Sequence, residues 1–223
     1  MATAAPIPLH PSDPPLDCPL CPRLVAYRHE NAVAAPDAFN APVPSWGPHE
    51  ARLLVIGLAP GVKGANTTGR PFTGDHAGWL LYETLVRHGF AAGRFEARPD
   101  DGLALRDVRV TNAVRCVPPQ NKPTGAEVRT CGRFLREVLD EMTALEAVLC
   151  LGRISHDAFL RSIGVKLAAH PFGHGRRQAV EIGGRAVALH DSYHCSRYNT
   201  NTGVLTPEMF DAVFAQIRSE IDG

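Results

Sequence analysis

The sequence predicts a three-layer α/β/α domain built on a central, mainly parallel four-stranded sheet, and three observations carry that prediction. Four short apolar runs, at Leu53–Ile56, Val108–Val114, Ala147–Leu151 and Arg185–Leu189, have the length and composition of buried strands. Each is followed by a loop of glycine, proline or polar residues and then by a helical pattern. A repeated β-loop-α order implies parallel strands joined by right-handed crossovers, with helices on both faces and the loops gathered at one edge. The length of 223 residues and a hydrophobic content of 44% suit one domain with a real core.

Residues 1–17 are rich in proline and predict a loose arm or an irregular cover. Cys18-Pro-Leu-Cys21 follows, and a short helix is expected over Arg23–Glu30. Pro36, Pro42, Pro44 and Pro48 then mark a long surface loop. The first strand breaks at Gly57 into a loop carrying Gly57, Pro60, Gly61, Gly64, Gly69, Pro71 and Gly74, whose backbone can approach a ligand closely. It matches neither GxGxxG nor GxxxxGK[ST]. Trp79, Leu80, Leu81, Leu85 and Val86 place a helix over 76–89, with Asp75 at its N-cap. The second strand runs into a loop broken by Pro118, Pro119 and Pro123. Thr124-Gly-Ala-Glu127 is a capping box opening a helix to about Met142. A third strand at AVLCL precedes a helix over Ser155–Ile163. HPFGHGRR at 170–177 reads as a basic loop, and Gly183-Gly184 as a turn before the fourth strand. A polar loop from His190 to Gly203 leads to a last helix opened by Thr206-Pro207.

Formal net charge is zero, from 23 basic and 23 acidic residues, which argues against a generally cationic nucleic-acid wrapper and leaves room for a local basic face. No apolar run approaches the roughly 18 residues of a membrane span. The N-terminus lacks the basic and apolar regions of a secretory signal, so a cytoplasmic, membrane-free protein is expected.

Four cysteines form a candidate set: Cys18 and Cys21 are local, and Cys116 and Cys131 have fourteen residues between them. Four converging thiolates suit a four-iron cluster or a tetrahedral zinc. Cys150 lies inside AVLCL and reads as core; Cys195 lies in a polar loop. Phe72, Asp75, Asn66, Asn112, His190, His194 and Arg197 fall at strand ends, and an aromatic ring beside an amide is equipment for reading a flat heterocycle.

GLAPGVKGANTTGRPFTGD, VTNAVRCVPPQNKPT and HDSYHCSRYNTNTG resemble the motifs of the uracil-DNA glycosylase superfamily, most closely those of family 5, the type B enzymes with an iron–sulfur cluster. The likeness runs from about Cys18 to the C-terminus. It implies a [4Fe-4S] cluster on Cys18, Cys21, Cys116 and Cys131. It implies a base pocket formed by Gly57, Ala59, Asn66, Phe72 and Asn112, with Phe72 stacking on a flipped base and Asn112 reading its edge. His190 would hydrogen-bond the pyrimidine O2, and His194, Arg197 and Asn199 would contact DNA. Leu58 and Ala59 stand where many members carry a water-activating group, which leaves Asp75 as the candidate to orient water or stabilise the sugar cation. Asp191, next to His190, would favour a charged imidazole if the two side chains meet. The implied activity is monofunctional: excision of uracil, and of hypoxanthine or xanthine if the pocket is broad, by a monomer acting on DNA. Lys63, Lys122 and Lys166 all look loop-borne, so no Schiff-base nucleophile is expected. Arg176 and Arg177 are candidate phosphate contacts. The alternatives are an iron–sulfur nucleic-acid-binding module without catalysis and a small-molecule nucleoside hydrolase or nucleotide-binding enzyme.

Overall fold

A computed structural model describes residues 9–223. Its central sheet has the order β4-β1-β5-β7-β6. The strands are β1 (Leu53–Gly57), β4 (Val108–Asn112), β5 (Ala147–Leu151), β6 (Arg177–Ile182) and β7 (Arg185–Ser192). β4, β1, β5 and β7 are parallel neighbours, and β6 pairs antiparallel with β7 at the edge. β2 (Ala91–Ala92) and β3 (Ala104–Leu105) form a separate small hairpin.

The sheet therefore has five strands, one more than expected. The addition is an edge strand with one buried side, alternating from exposed Arg177 to buried Val180 and Ile182. Gly183 and Gly184 both have positive φ and close a two-residue hairpin, a geometry that glycine adopts without penalty. A half-buried edge strand lacks the continuous apolar run that marks the parallel ones.

β1 and β5 are buried on both faces, and their residues alternate between two cores. Leu54, Ile56, Val148 and Cys150 face α4 (Gly125–Glu141) and α5 (Arg153–Ser162). Leu53, Val55, Leu149 and Leu151 face α3 (His76–Arg87) and α7 (Pro207–Asp222). The capping box that opens α4 is formed: Glu127 N–H donates to Thr124 Oγ1 at 3.2 Å, and Thr124 N–H to Glu127 Oε2 at 2.7 Å. Arg23, on α1 (Pro22–Ala34), donates to both oxygens of the same Glu127 at 2.7 Å. One carboxylate thus caps α4 and ties it to α1.

One expectation is narrowed and another corrected. From Leu9 onward the arm is the irregular cover of the two alternatives rather than loose: Asp13 is buried, pairs with buried Arg115 at 2.8 Å and accepts from Ser45 N–H at 2.8 Å. Residues 1–8 of the arm lie outside the described residues. The proline-rich stretch before β1 is partly interior, since residues 42–45 are buried and Trp46 bridges to Val110 of β4. Prolines exclude regular structure; they do not exclude burial.

Because four strands are parallel, Gly57, Asn112, Leu151 and Ser192 end at one edge of the sheet. From β1 the chain moves outward to β4 and then crosses to β5 on the other side. The crevice of such a fold lies beyond the carboxyl ends of the strands at this switch point.

Candidate active site

The register places Asn112 directly beside Gly57. A Cβ on Gly57 would lie 2.4 Å from Phe72 Cζ and 2.5 Å from Asn112 Oδ1, so the missing side chain is what lets ring and amide meet over the end of β1. Phe72 and Asn112 are both buried.

Phe72 sits at φ +54°, a left-handed conformation rare for an aromatic residue. The surrounding structure holds it there. Tyr82 O–H donates to the Pro71 carbonyl. A Cβ on Gly78 would fall on the Phe72 carbonyl oxygen, so the turn packs onto α3 only because that position is glycine. Arg70 is buried and makes two parallel bonds to buried Asp101, at 2.8 and 2.7 Å, and a third from Nε to Thr73 Oγ1 at 2.7 Å. Its guanidinium also lies 4.6 Å from the Trp46 ring centroid. Arg70, Asp101 and Tyr82 were not among the sequence-level candidates. An arginine inside a glycine-rich loop is a signal only once its carboxylate partner, 31 residues on, is known.

Asp75 lies before α3 with its carboxylate over Gly61 and Gly64; Cβ atoms there would lie 3.1 Å and 2.3 Å from Asp75 Oδ2. Its Oδ1 is buried and has no hydrogen-bond partner. Burial pushes its carboxyl above the usual range, against the opposing pull of the Ala77 and Gly78 backbone amides. Leu58, Ala59, Gly61, Asp75, His194 and Arg197 share a cavity of about 590 Å³.

His194 follows the end of β7, and its ring stands over Phe72 with centroids 6.1 Å apart and planes inclined by 24°. Burial holds its imidazole down to about 4, so the ring is neutral near pH 7. Asn199 donates from its amide to the His194 carbonyl at 2.8 Å. Ser196 caps α6 (Arg197–Asn201) by accepting from Asn199 N–H, and His76 Nε2 lies 3.2 Å from Thr200 Oγ1. The polar loop is thus a short helix docked on the start of α3.

Three residues expected in the site have other neighbours in this structure. His190 lies two residues inside β7, paired in register with Leu149 and Arg177, and its Nε2 is 3.3 Å from Glu220 of α7. Strand alternation turns it to the α3/α7 face, which Phe72 also occupies, but His190 lies two residues short of the carboxyl edge with Glu220 beside it. Burial lowers its pKa, with Glu220 opposing. Asp191, its neighbour, points to the opposite face and pairs with buried His156 at 2.7 Å. The two therefore do not form a pair. Asn66 is buried with its amide donating to Asn40 Oδ1 at 2.9 Å, so it braces the preceding loop. Asn199 is spent on the His194 carbonyl rather than reaching outward. Of the basic pair, Arg177 binds Glu220 beside His190 and Arg176 donates to the Pro171 carbonyl.

The four cysteine thiols line one pocket between α1, the 114–116 segment and α4. Arg28, buried, donates to the Cys18 carbonyl at 3.1 Å and to Cys116 Sγ at 3.6 Å, and Arg115 N–H to Cys131 Sγ at 3.4 Å. Burial pushes the Cys116 thiol up to about 12 and that of Cys131 to about 11. Cys150 and Cys195 are fully buried elsewhere.

A family model described as the uracil DNA glycosylase superfamily matches residues 44–218. The chain is 45% identical over 207 residues to a type-5 uracil-DNA glycosylase of Thermus thermophilus, covering 90% of this chain and 92% of that protein. The chain belongs to the uracil-DNA glycosylase superfamily. Within it the likeness favours the type-5 branch. A type-5 protein of Mycobacterium bovis is 42% identical over 90% of this chain and 77% of its own length, whereas a type-4 protein of Archaeoglobus fulgidus is 31% identical over 68% and 69%. In this superfamily member Gly57, Phe72, Asn112, Asp75 and His194 converge at the sheet edge. No helix among the described residues is long and apolar enough to cross a membrane.

Proposed function

We propose that the chain is a monofunctional DNA glycosylase that flips uracil out of DNA and hydrolyses its N-glycosidic bond. The observation that carries this reading is the Gly57 contact, where an aromatic ring and an amide meet over the end of β1, next to the Leu58–Ala59 wall of a cavity lined by Asp75, whose carboxylate has a buried oxygen without a partner. The base lies against Phe72, with Asn112 hydrogen-bonded along its edge. Extrusion costs a few kcal/mol, least for a mispaired base. Tyr198, 73% exposed on α6, is placed to enter the gap left in the stack. Arg197, exposed beside the cavity, suits a backbone phosphate.

As the C1′–N bond breaks, the electron pair leaves with the base. His194, neutral and with its ring plane close to that of Phe72, donates a hydrogen bond from its ring edge to the oxygen on which that charge settles, a stabilisation larger than most single catalytic effects. Asp75 orients the water whose oxygen joins C1′ and holds the proton that this water gives up; burial strengthens it as a base. Gly61 and Gly64 make the room for that carboxylate. Gly64→Ala should shift it and lower excision roughly 100-fold while the fold persists, since misplacement by about 1 Å costs that much; single-turnover rates alongside circular dichroism check this. The cavity of about 590 Å³ is large enough for a deaminated purine, so hypoxanthine and xanthine are second substrates to test.

The four thiols support a [4Fe-4S] cluster better than zinc. Tetrahedral zinc with bonds of about 2.3 Å sets its sulfurs roughly 3.8 Å apart. Among the described residues no three of these sulfurs fall within 4.8 Å of one another. Arg28 brings a buried positive charge to the thiolates. Such a cluster supplies a covalent tie between the arm, the loop after β4 and α4, and no redox step is required of it. Anaerobically purified protein should be brown, absorb near ~400 nm and carry about four irons per chain; a colourless zinc protein contradicts the assignment. The excision reading is tested by product analysis: free uracil released from a labelled duplex whose strand stays intact until alkali is added.

A further inference from the structure

Away from the sheet edge, three side chains from separate segments converge: His10 of the arm, His49 of the loop before β1 and Glu141 at the end of α4. Their ligand atoms all lie within 4.8 Å of one another. His10 Nδ1 is 2.8 Å and His49 Nδ1 3.7 Å from the same atom, Glu141 Oε2. The imidazole centroids are 3.7 Å apart. Glu141 Oε2 is buried and has no hydrogen-bond partner, although His10 Nδ1 is so close. Two electron-rich atoms facing each other without a hydrogen bond between them are what a cation would join. Ions bound by imidazole and carboxylate at about 2.0–2.2 Å set tetrahedral ligand atoms roughly 3.3–3.6 Å apart, and 2.8 and 3.7 Å bracket that spacing.

The surrounding charge tolerates a dication. Around the buried Arg109 stand three carboxylates, Asp13, Glu50 and Glu141, against two guanidiniums, those of Arg109 and Arg115, a surplus of one negative charge. The competing contacts of His10 Nδ1 both come from Ser12, its Oγ at 3.1 Å and its N–H at 3.5 Å. His10 and His49 also line a cavity of about 450 Å³ with Trp46, Leu105 and Arg109, which leaves an open position for water or an anion on the ion.

We propose that His10, His49 and Glu141 form a second metal site, distinct from the four thiols, that binds a Zn²⁺-class ion. Two imidazoles and one carboxylate with an open position are a ligand set that Zn²⁺ takes, so zinc is the probe of the site. The ion clips the arm to the end of α4, eight residues before the first cysteine of the CxxC pair.

The test uses cluster-loaded full-length protein, dialysed anaerobically against zinc and then buffer, with zinc and iron counted separately by elemental analysis. Wild type should retain about one zinc per chain beyond its iron. Glu141→Gln and His49→Ala should each weaken zinc binding at least about tenfold and leave iron unchanged. Zinc should raise the melting temperature of wild type and not of either variant. Zinc captured by the thiols would be insensitive to Glu141→Gln, so equal retention in wild type and both variants overturns the proposal. So does the absence of zinc beyond iron in wild type.

Discussion

His194→Ala should lower single-turnover uracil excision by about 10²–10³-fold, the usual effect of removing one donor from the site of developing negative charge. His190→Ala should leave the rate close to wild type and lower the melting temperature instead. The two histidines are four residues apart, and the strand decides between them. β7 runs on to Ser192, so His190 is interior to the sheet and turned toward Glu220, while His194 is the residue that clears the carboxyl edge. Burial keeps His194 neutral down to about 4, so it offers a hydrogen bond without carrying a charge of its own. Equal losses of rate in the two variants, with both folded, would mean that His190 reaches the pocket by a route absent from this structure.

Arg70→Ala should be the most damaging change outside the pocket. It leaves Asp101 buried with its two guanidinium bonds gone and removes the support of the Phe72 turn. Breaking a buried, hydrogen-bonded ion pair from one side costs about 3–5 kcal/mol. At about 2–4 °C per kcal/mol for a domain of this size, the melting temperature should fall roughly 6–20 °C. Excision should also fall below the cold-assay rate expected of a merely less stable enzyme, because Phe72 can relax from its left-handed conformation. Thermal melts and rates measured well below the transition separate the two effects. A melting temperature within about 2 °C of wild type would show that the pair carries little stability.

Much of the fold was legible in the sequence because its parallel strands are buried on both faces and read as short apolar runs. The capping box at Thr124–Glu127 was legible because both of its bonds are local. The cysteine set was legible by type and by the CxxC spacing, and Arg23, Glu127 and Arg28 explain how distant segments bring it together. The edge strand β6 was hidden because only one side of it is apolar. The partners of Asn66 and Asn199, Asn40 and the His194 carbonyl, were hidden because an amide near a loop serves backbone or neighbour as readily as a ligand, and these contacts emerge only from folding. The interior position of His190 was hidden because the apolar run ends at Leu189, whereas β7 continues to Ser192. The alternation that sends adjacent residues to opposite faces would also have separated His190 from Asp191. The Arg70–Asp101 pair depends on a contact across 31 residues of chain, for which no local pattern exists.

The central claim is that the cleft above Gly57 excises a flipped base, and the most direct measurement is alkali-dependent cleavage of a labelled duplex bearing one uracil, for wild type and Asn112→Ala. Wild type should cleave only after alkali. Asn112→Ala should bind the same duplex with unchanged salt dependence, because its amide contacts no phosphate, and should lose cleavage by at least about 100-fold. Cleavage by neither protein, with binding intact in both, would contradict the account and leave an iron–sulfur module that binds DNA without acting on it.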